Sequence, residues 1–214
     1  MNLLVTNSHM HQVYAIVRAL RPHARRIVAT IYGRCRFFHP ASTAACSRLV
    51  DKRYHVPSPE EDWLAGRLQH ENTPREEAYV GRILEICDKE CIDTIFPSYD
   101  PQVYVLSKNK ERFEARGILL PVPDFETMRI PLDKHRTMLA AERVGMPHPL
   151  TFLPETEGDL FEIARKVPPP WVIRPRMTSK SQGMEIATSR AELVSMMRRV
   201  QANHAQPMVQ EYVP

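Results

Sequence analysis

The chain of 214 residues has 43% hydrophobic and 25% charged side chains, the balance of an ordinary globular protein, which excludes disordered and fibrous classes. Its length fits one large domain or two small ones. No apolar run approaches the ~20 residues a membrane helix needs, and Met1 opens a strand-like stretch and not a signal peptide. Four cysteines (Cys35, Cys46, Cys87, Cys91) show no zinc spacing and are too few for a secreted disulfide framework, so a cytoplasmic protein is expected.

The net charge of +4 hides an asymmetry. Nine bases precede Pro57 (Arg18, Arg21, Arg25, Arg26, Arg34, Arg36, Arg48, Lys52, Arg53) against one acid, Asp51, whereas the rest carries 20 bases and 24 acids. Such a segment is a solvated helix end with loops, or it attracts an anionic small molecule or an acidic partner. Nucleic acid is not expected, because no aromatic-basic interleaving accompanies the charge.

Asn2 to Thr6 reads as a short buried strand, followed by a turn at Asn7 and Ser8. A helix then runs through Leu20, with Val13, Ile16, Val17 and Leu20 at helical spacing. Arg26–Ile31 and Lys52–Val56 read as strands, Pro74–Cys91 as the clearest helix, and Asp93–Phe96 as a strand ended by Pro97. A helix over Pro101–Arg116 stops at Gly117, before a strand at Ile118–Val122. Strands alternating with helices predict a parallel sheet covered on both faces. The first strand-to-helix turn, Thr6 to Met10, has no glycine, so a dinucleotide site is not expected there.

Pro121, Pro123 and Pro131 mark a change of pattern. Asp133 caps a helix over Lys134–Val144 that Gly145 ends. A strand at Thr151–Leu153, a helix at Glu155–Lys166 and a strong strand, Trp171–Arg174, follow. The polar loop Thr178–Gln182 leads to a strand near Met184–Thr188, a helix capped by Ser189, and a last strand over Pro207–Val213. The loop is the most informative feature. Backbone N–H groups and the hydroxyls of Thr178, Ser179 and Ser181 are donors for phosphate oxygens, with Arg174, Arg176 and Lys180 adding charge. The alternative is a solvated hairpin turn.

Other constellations carry less. His9, His11, Cys35 and His39 are near in sequence, but nothing fixes the three or four converging ligands that zinc requires. Cys87 and Cys91, one helical turn apart, read as core packing before redox chemistry. Asp100 follows a strand end and suits either a substrate contact or a helix cap. No nucleophile elbow supports a Ser-His-Asp hydrolase.

Several segments together resemble the ATP-grasp superfamily, in particular its carbamoyl-phosphate-synthase-like members. They are Ile92-Asp93-Thr94-Ile95-Phe96-Pro97-Ser98, Asp133-Lys134, Gly145-Met146-Pro147-His148-Pro149, Val172-Ile173-Arg174-Pro175-Arg176, Gly183-Met184 and Val209-Gln210-Glu211-Tyr212-Val213-Pro214. The resemblance implies an α/β chain: a parallel-sheet pre-ATP-grasp domain over 1–122, then a small α+β ATP-grasp subdomain over 123–214. It implies ATP and Mg2+ as cofactors, with Lys134 and Arg174 at the phosphates and Thr178 to Gly183 (through Ser179, Lys180 and Ser181) as a lid. Gln210, Glu211 and the backbone of Tyr212 and Val213 would meet the adenine edge. The implied activity is ATP-dependent ligation of a carboxylate to an amine through an acyl phosphate, with both substrates small molecules and a homodimer open as an assembly.

Two departures temper that expectation. Gly183 is the only glycine of the lid, so close backbone approach to phosphate is less assured. The family pattern also continues past Pro214, into the part that would hold magnesium, so these 214 residues alone are expected to be inactive. The alternative reading is a non-catalytic nucleotide-binding or partner-binding module.

Overall fold

A computed structural model describes residues 1–32, 44–64, 70–178 and 181–214. The chain divides into two compact units, one formed by Met1–Glu60 and Gln69–Met128, the other by Glu61–Leu68 and Arg129–Pro214.

The first unit is built on a four-stranded parallel sheet of order β3-β2-β1-β4, from β1 (Asn2–Val5), β2 (Arg26–Tyr32), β3 (Lys52–Val56) and β4 (Thr94–Phe96). Helix α1 (His11–Leu20) buries Val13 and Val17 against Leu3, Val5, Ile27 and Ala29 of one sheet face. The alternate residues Leu4 and Val28, also fully buried, point to the other face. After the short α2 (Glu60–Leu64), α3 (Pro74–Glu90) starts at a capping box between Thr73 and Glu76 and ends at Cys91, whose left-handed backbone (φ 50°) closes the last turn.

The expected helix over Pro101–Arg116 is two helices, α4 (Asp100–Lys108) and α5 (Lys110–Glu114), interrupted at Asn109. Asn109 turns its side chain back onto the Val105 carbonyl and pairs with Asn72, a local bond that competes with the helix. The expected strand Ile118–Val122 is reduced to one bridge, Leu119 beside Thr94, because Pro121 and Pro123 offer no N–H to a ladder. Helix α6 (Phe125–Leu132) forms despite Pro131, started by the Asp124 carboxylate on the Thr127 N–H (2.9 Å).

The second unit carries α7 (Lys134–Arg143) and a four-stranded antiparallel sheet of order β5-β8-β6-β7. Its strands are β5 (Thr151–Phe152), β6 (Trp171–Arg174), β7 (Glu185–Ala187) and β8 (Met208–Glu211). Helices α8 (Glu157–Lys166) and α9 (Arg190–Gln201), each opened by a capping box, bury Leu160, Ile163, Leu193, Met197 and Val200 against Trp171, Ile173, Ala187 and Val209. One face of this sheet is thus packed on α8 and α9; on the other, Met208 and Gln210 are buried as well, while Ile186 is exposed. Among the described residues no helix is long and apolar enough to cross a membrane.

Candidate functional site

The register of the antiparallel sheet aligns Ile186 of β7, Val172 of β6, Gln210 of β8 and Thr151 of β5 in one row. All four lie opposite the helix-covered face, since the alternate residues Trp171, Ala187 and Val209 are in the core. The row is apolar at one end, where Ile186 is 43% exposed, and polar at the other. Arg174, two residues beyond Val172, shares this face.

Arg174 is the central side chain. Its guanidinium is half-buried, and among the described residues its one hydrogen bond to a side chain is a long contact to Gln210 Oε1 (3.5 Å). Gln210 is itself held by donating to Thr151 Oγ1 (2.8 Å), which donates to the Pro149 carbonyl (2.9 Å). Among the described residues no carboxylate pairs with Arg174, and burial pulls its pKa below the usual arginine value. A partly desolvated guanidinium that no described carboxylate neutralises is suited to an anion.

Arg176 and Lys134 are differently employed. The Asp133 carboxylate, 1% exposed, accepts from Arg176 Nε (3.1 Å) and Nη2, and from the His135 N–H (3.0 Å). Arg176 Nη1 also donates to Gln206 Oε1 (2.8 Å). Its charge is therefore neutralised within the fold, although the sequence placed it in the anion cradle. Lys134 Nζ donates to the carbonyls of Thr178 (2.5 Å) and Arg176 (3.3 Å), so this ammonium stitches the start of α7 to the loop after β6. His135, beside them, has its pKa lowered by burial and by Arg176.

Thr178 is buried at the head of the loop, while Ser179 and Lys180 lie outside the described residues. Ser181 (φ 56°) and Gly183 (φ 71°) turn the chain back toward β7. A Cβ on Gly183 would stand 2.8 Å from His204 Nε2 and 2.9 Å from Pro175 Cγ, so packing as well as backbone geometry requires glycine there. Glu211 lies one residue past Gln210, hence by alternation on the Val209 side of the sheet, and its N–H is bonded to the Leu150 carbonyl (3.0 Å). Tyr212 and Val213 follow the end of β8 with exposed side chains.

The structure thus brings Arg174 and Gln210 together, gathers Lys134, Arg176 and Thr178 around Asp133, and separates Glu211 from both groups. Sequence reasoning missed the Asp133–Arg176 tie and the Thr151 support, both of which join residues distant in the chain.

The remaining candidates hold no site chemistry of their own. Cys87 is buried and its thiol pushed up to about 12 by desolvation, whereas Cys91 is exposed and not part of the core as expected. Asp100 is the first helical residue of α4, and the N-cap is Tyr99, which makes no side-chain cap bond. Cys35 and His39 lie outside the described residues, and among those described no three His, Cys, Asp or Glu side chains group as metal ligands. Of the N-terminal bases, Arg21 pairs with Asp51, Arg26 with Glu90, and Arg53 donates to the Ala45 and Ser47 carbonyls. Much of that charge is internal structure.

Solved structures match the chain along its length. The biotin carboxylase domain dimer of the 2-oxoglutarate carboxylase from Hydrogenobacter thermophilus, in complex with MgADP, ADP and bicarbonate, is 15% identical with a TM-score of 0.71, over 99% of this chain and 44% of that one. Biotin carboxylase from Campylobacter jejuni in a β,γ-ATP complex is 13% identical (TM-score 0.71; 100% of this chain, 45% of that one). N5-carboxyaminoimidazole synthetase from Staphylococcus aureus is 9% identical (TM-score 0.65; 99% and 47%). This chain therefore spans less than half the length of these three. Its fold is that of the amino-terminal part of the ATP-grasp enzymes. Residues 16–121 match the family model of the PylC-like N-terminal domain. No curated protein sequence matches the chain significantly.

Proposed function

We propose that the chain forms the amino-terminal part of an ATP-dependent carboxylate–amine ligase or a carbamoyl-phosphate-synthase-like enzyme, and that the nucleotide binds at the Arg174 and Ile186 side of its antiparallel sheet. The observation that carries this reading is Arg174, a half-buried guanidinium with no carboxylate partner among the described residues, beside an aliphatic strip. The two features match the two ends of a nucleotide. Val172 and Ile186 offer apolar surface to a flat base, and Arg174 offers a charge-assisted donor to phosphate. Gln210, fixed by Thr151, presents an amide on the same face, so it suits the base edge better than Glu211 does.

Bound ATP would supply the phosphoryl group that activates a carboxylate for capture by an amine. The residues of this chain bind and orient: Arg174 takes phosphate charge, and Lys134 and Asp133 hold the loop that follows it. The described residues offer no ligand set for magnesium, so no step is assigned to a metal here. One of the similar structures is a domain dimer, which makes a homodimer the assembly to test.

The test is calorimetric titration of the chain and of Arg174→Ala with ATP and with adenosine. The variant is expected to lose about 1.5–3 kcal/mol of ATP binding, the range for a charge-assisted hydrogen bond, and none of its adenosine binding. Unchanged ATP affinity would remove the phosphate assignment.

A further inference from the structure

The carboxyl edge of the parallel sheet holds a second constellation that nucleotide binding does not use. The order β3-β2-β1-β4 reverses its direction of connection between β1 and β4, and ligands of such sheets settle in the crevice at that reversal. Val5 stands opposite both Ala29 and Phe96, so Asn7 comes level with the strand ends that carry Tyr32 and Tyr99. The two turns at the crevice are tied together, Ser98 Oγ donating to the Thr6 carbonyl (2.7 Å).

Over this edge lies the Glu60 carboxylate. Tyr32 donates its phenol to Oε2 (3.2 Å) and Tyr99 its phenol to Oε1 (3.1 Å). Two neutral donors hold the carboxylate without cancelling its charge, and no Lys, Arg or His among the described residues pairs with it. Burial and the neighbouring Glu60 raise the Tyr32 pKa, so its hydroxyl remains a donor. His9 sits edge-on to the Tyr32 ring at 5.2 Å.

Asn7 supplies an independent observation. It is 1% exposed, yet among the described residues neither its amide nitrogen nor its amide oxygen has a hydrogen-bond partner. Its backbone is also left-handed (φ 55°). An orphaned buried amide on a strained backbone is costly to folding and concentrates where a ligand is clamped. The fully buried Gln102 amide lies beside the Tyr32 hydroxyl, again without a bond of good geometry.

We infer that this edge binds a primary ammonium group, and that it is the amine-substrate subsite of the ligase proposed above. An ammonium brings three donors and a positive charge to Glu60, which no described base supplies, and it gains from the faces of adjacent tyrosine rings. The unpartnered side-chain oxygen of Asn7 is an acceptor for the same class of ligand. A carboxylate or bicarbonate would instead meet the Glu60 charge, which no base among the described residues offsets. Naming the ligand a substrate rests on the ligase reading; the binding itself needs no ATP.

The test is a titration of the 15N-labelled 214-residue chain with n-butylammonium chloride, with sodium butyrate as the anionic control. Butylammonium is expected to give saturable amide shifts at Asn7, Tyr32, Glu60 and Tyr99, and butyrate none. Glu60→Gln should bind at least about 10-fold more weakly, the loss of one charge-assisted contact. Asn7→Gly keeps the left-handed backbone while removing the orphaned amide. It should weaken binding without lowering the melting temperature, and it decides the matter if Glu60→Gln does not fold. No saturable response to butylammonium, an equal response to butyrate, or wild-type affinity in every folded variant overturns the inference. Amine binding retained in a chain that fails to bind ATP would sink the ligase reading and leave this site standing.

Discussion

Arg174 and Arg176 stand two residues apart around one proline, and the fold gives them opposite employment. Arg176 finds a carboxylate 43 residues earlier, at the buried cap of α7, and among the described side chains Arg174 finds only an amide. Arg176→Ala would strand the Asp133 charge in the interior and is expected to cost about 3–5 kcal/mol of stability, whereas Arg174→Ala should cost less than about 0.5 kcal/mol. Urea unfolding of the two variants checks this, and equal losses would contradict the assignment of roles. The Arg-Pro-Arg segment marks a basic strand end in sequence, but which arginine keeps its charge depends on a long-range partner. For the same reason Glu211 was legible as a strand residue, while its side of the sheet became plain only once Val209 was seen in the core.

At the scale of elements, the helices with complete start signals were the most legible. Helix α9 follows a Ser189–Glu192 capping box, and α7 follows Asp133. Errors fell where local and tertiary preferences compete: the expected strand at Ile118–Val122 has prolines in place of ladder donors, and α6 carries Pro131 near its end. Tertiary ties between helices were not legible at all. Arg112 on α5 grips Glu77 on α3 with two hydrogen bonds (2.7 and 2.8 Å), which, with Asn72, hold the Glu77 carboxyl down at about 2. Because that folded-state pKa is depressed, the contribution is full above the unfolded value of 4.5 and fades as pH falls toward 2. Glu77 is half-exposed, so the whole effect should not exceed about 1 kcal/mol. Stability of the chain and of Glu77→Gln measured between neutral pH and pH 2 should converge at the acid end; a gap independent of pH would contradict it.

At the scale of the molecule, alternation of strands and helices foretold the parallel sheet, and the ordered motifs foretold an ATP-grasp type of fold. The antiparallel sheet was legible as strands but not as a surface, because the face opposite its helices is set by pairing between segments up to 59 residues apart, as between Thr151 and Gln210. That face competes for the nucleotide with the described bases left exposed near the N-terminus, Arg18, Arg25, Arg48 and Lys52. The central claim is tested most directly by a chemical-shift map of the 15N-labelled chain titrated with ATP. The account predicts that the largest changes fall on Val172, Arg174, Thr178 and Gln210, with α1 unaffected. Changes confined to Arg18, Arg25, Arg48, Lys52 and their neighbours, with the antiparallel sheet silent, would contradict it.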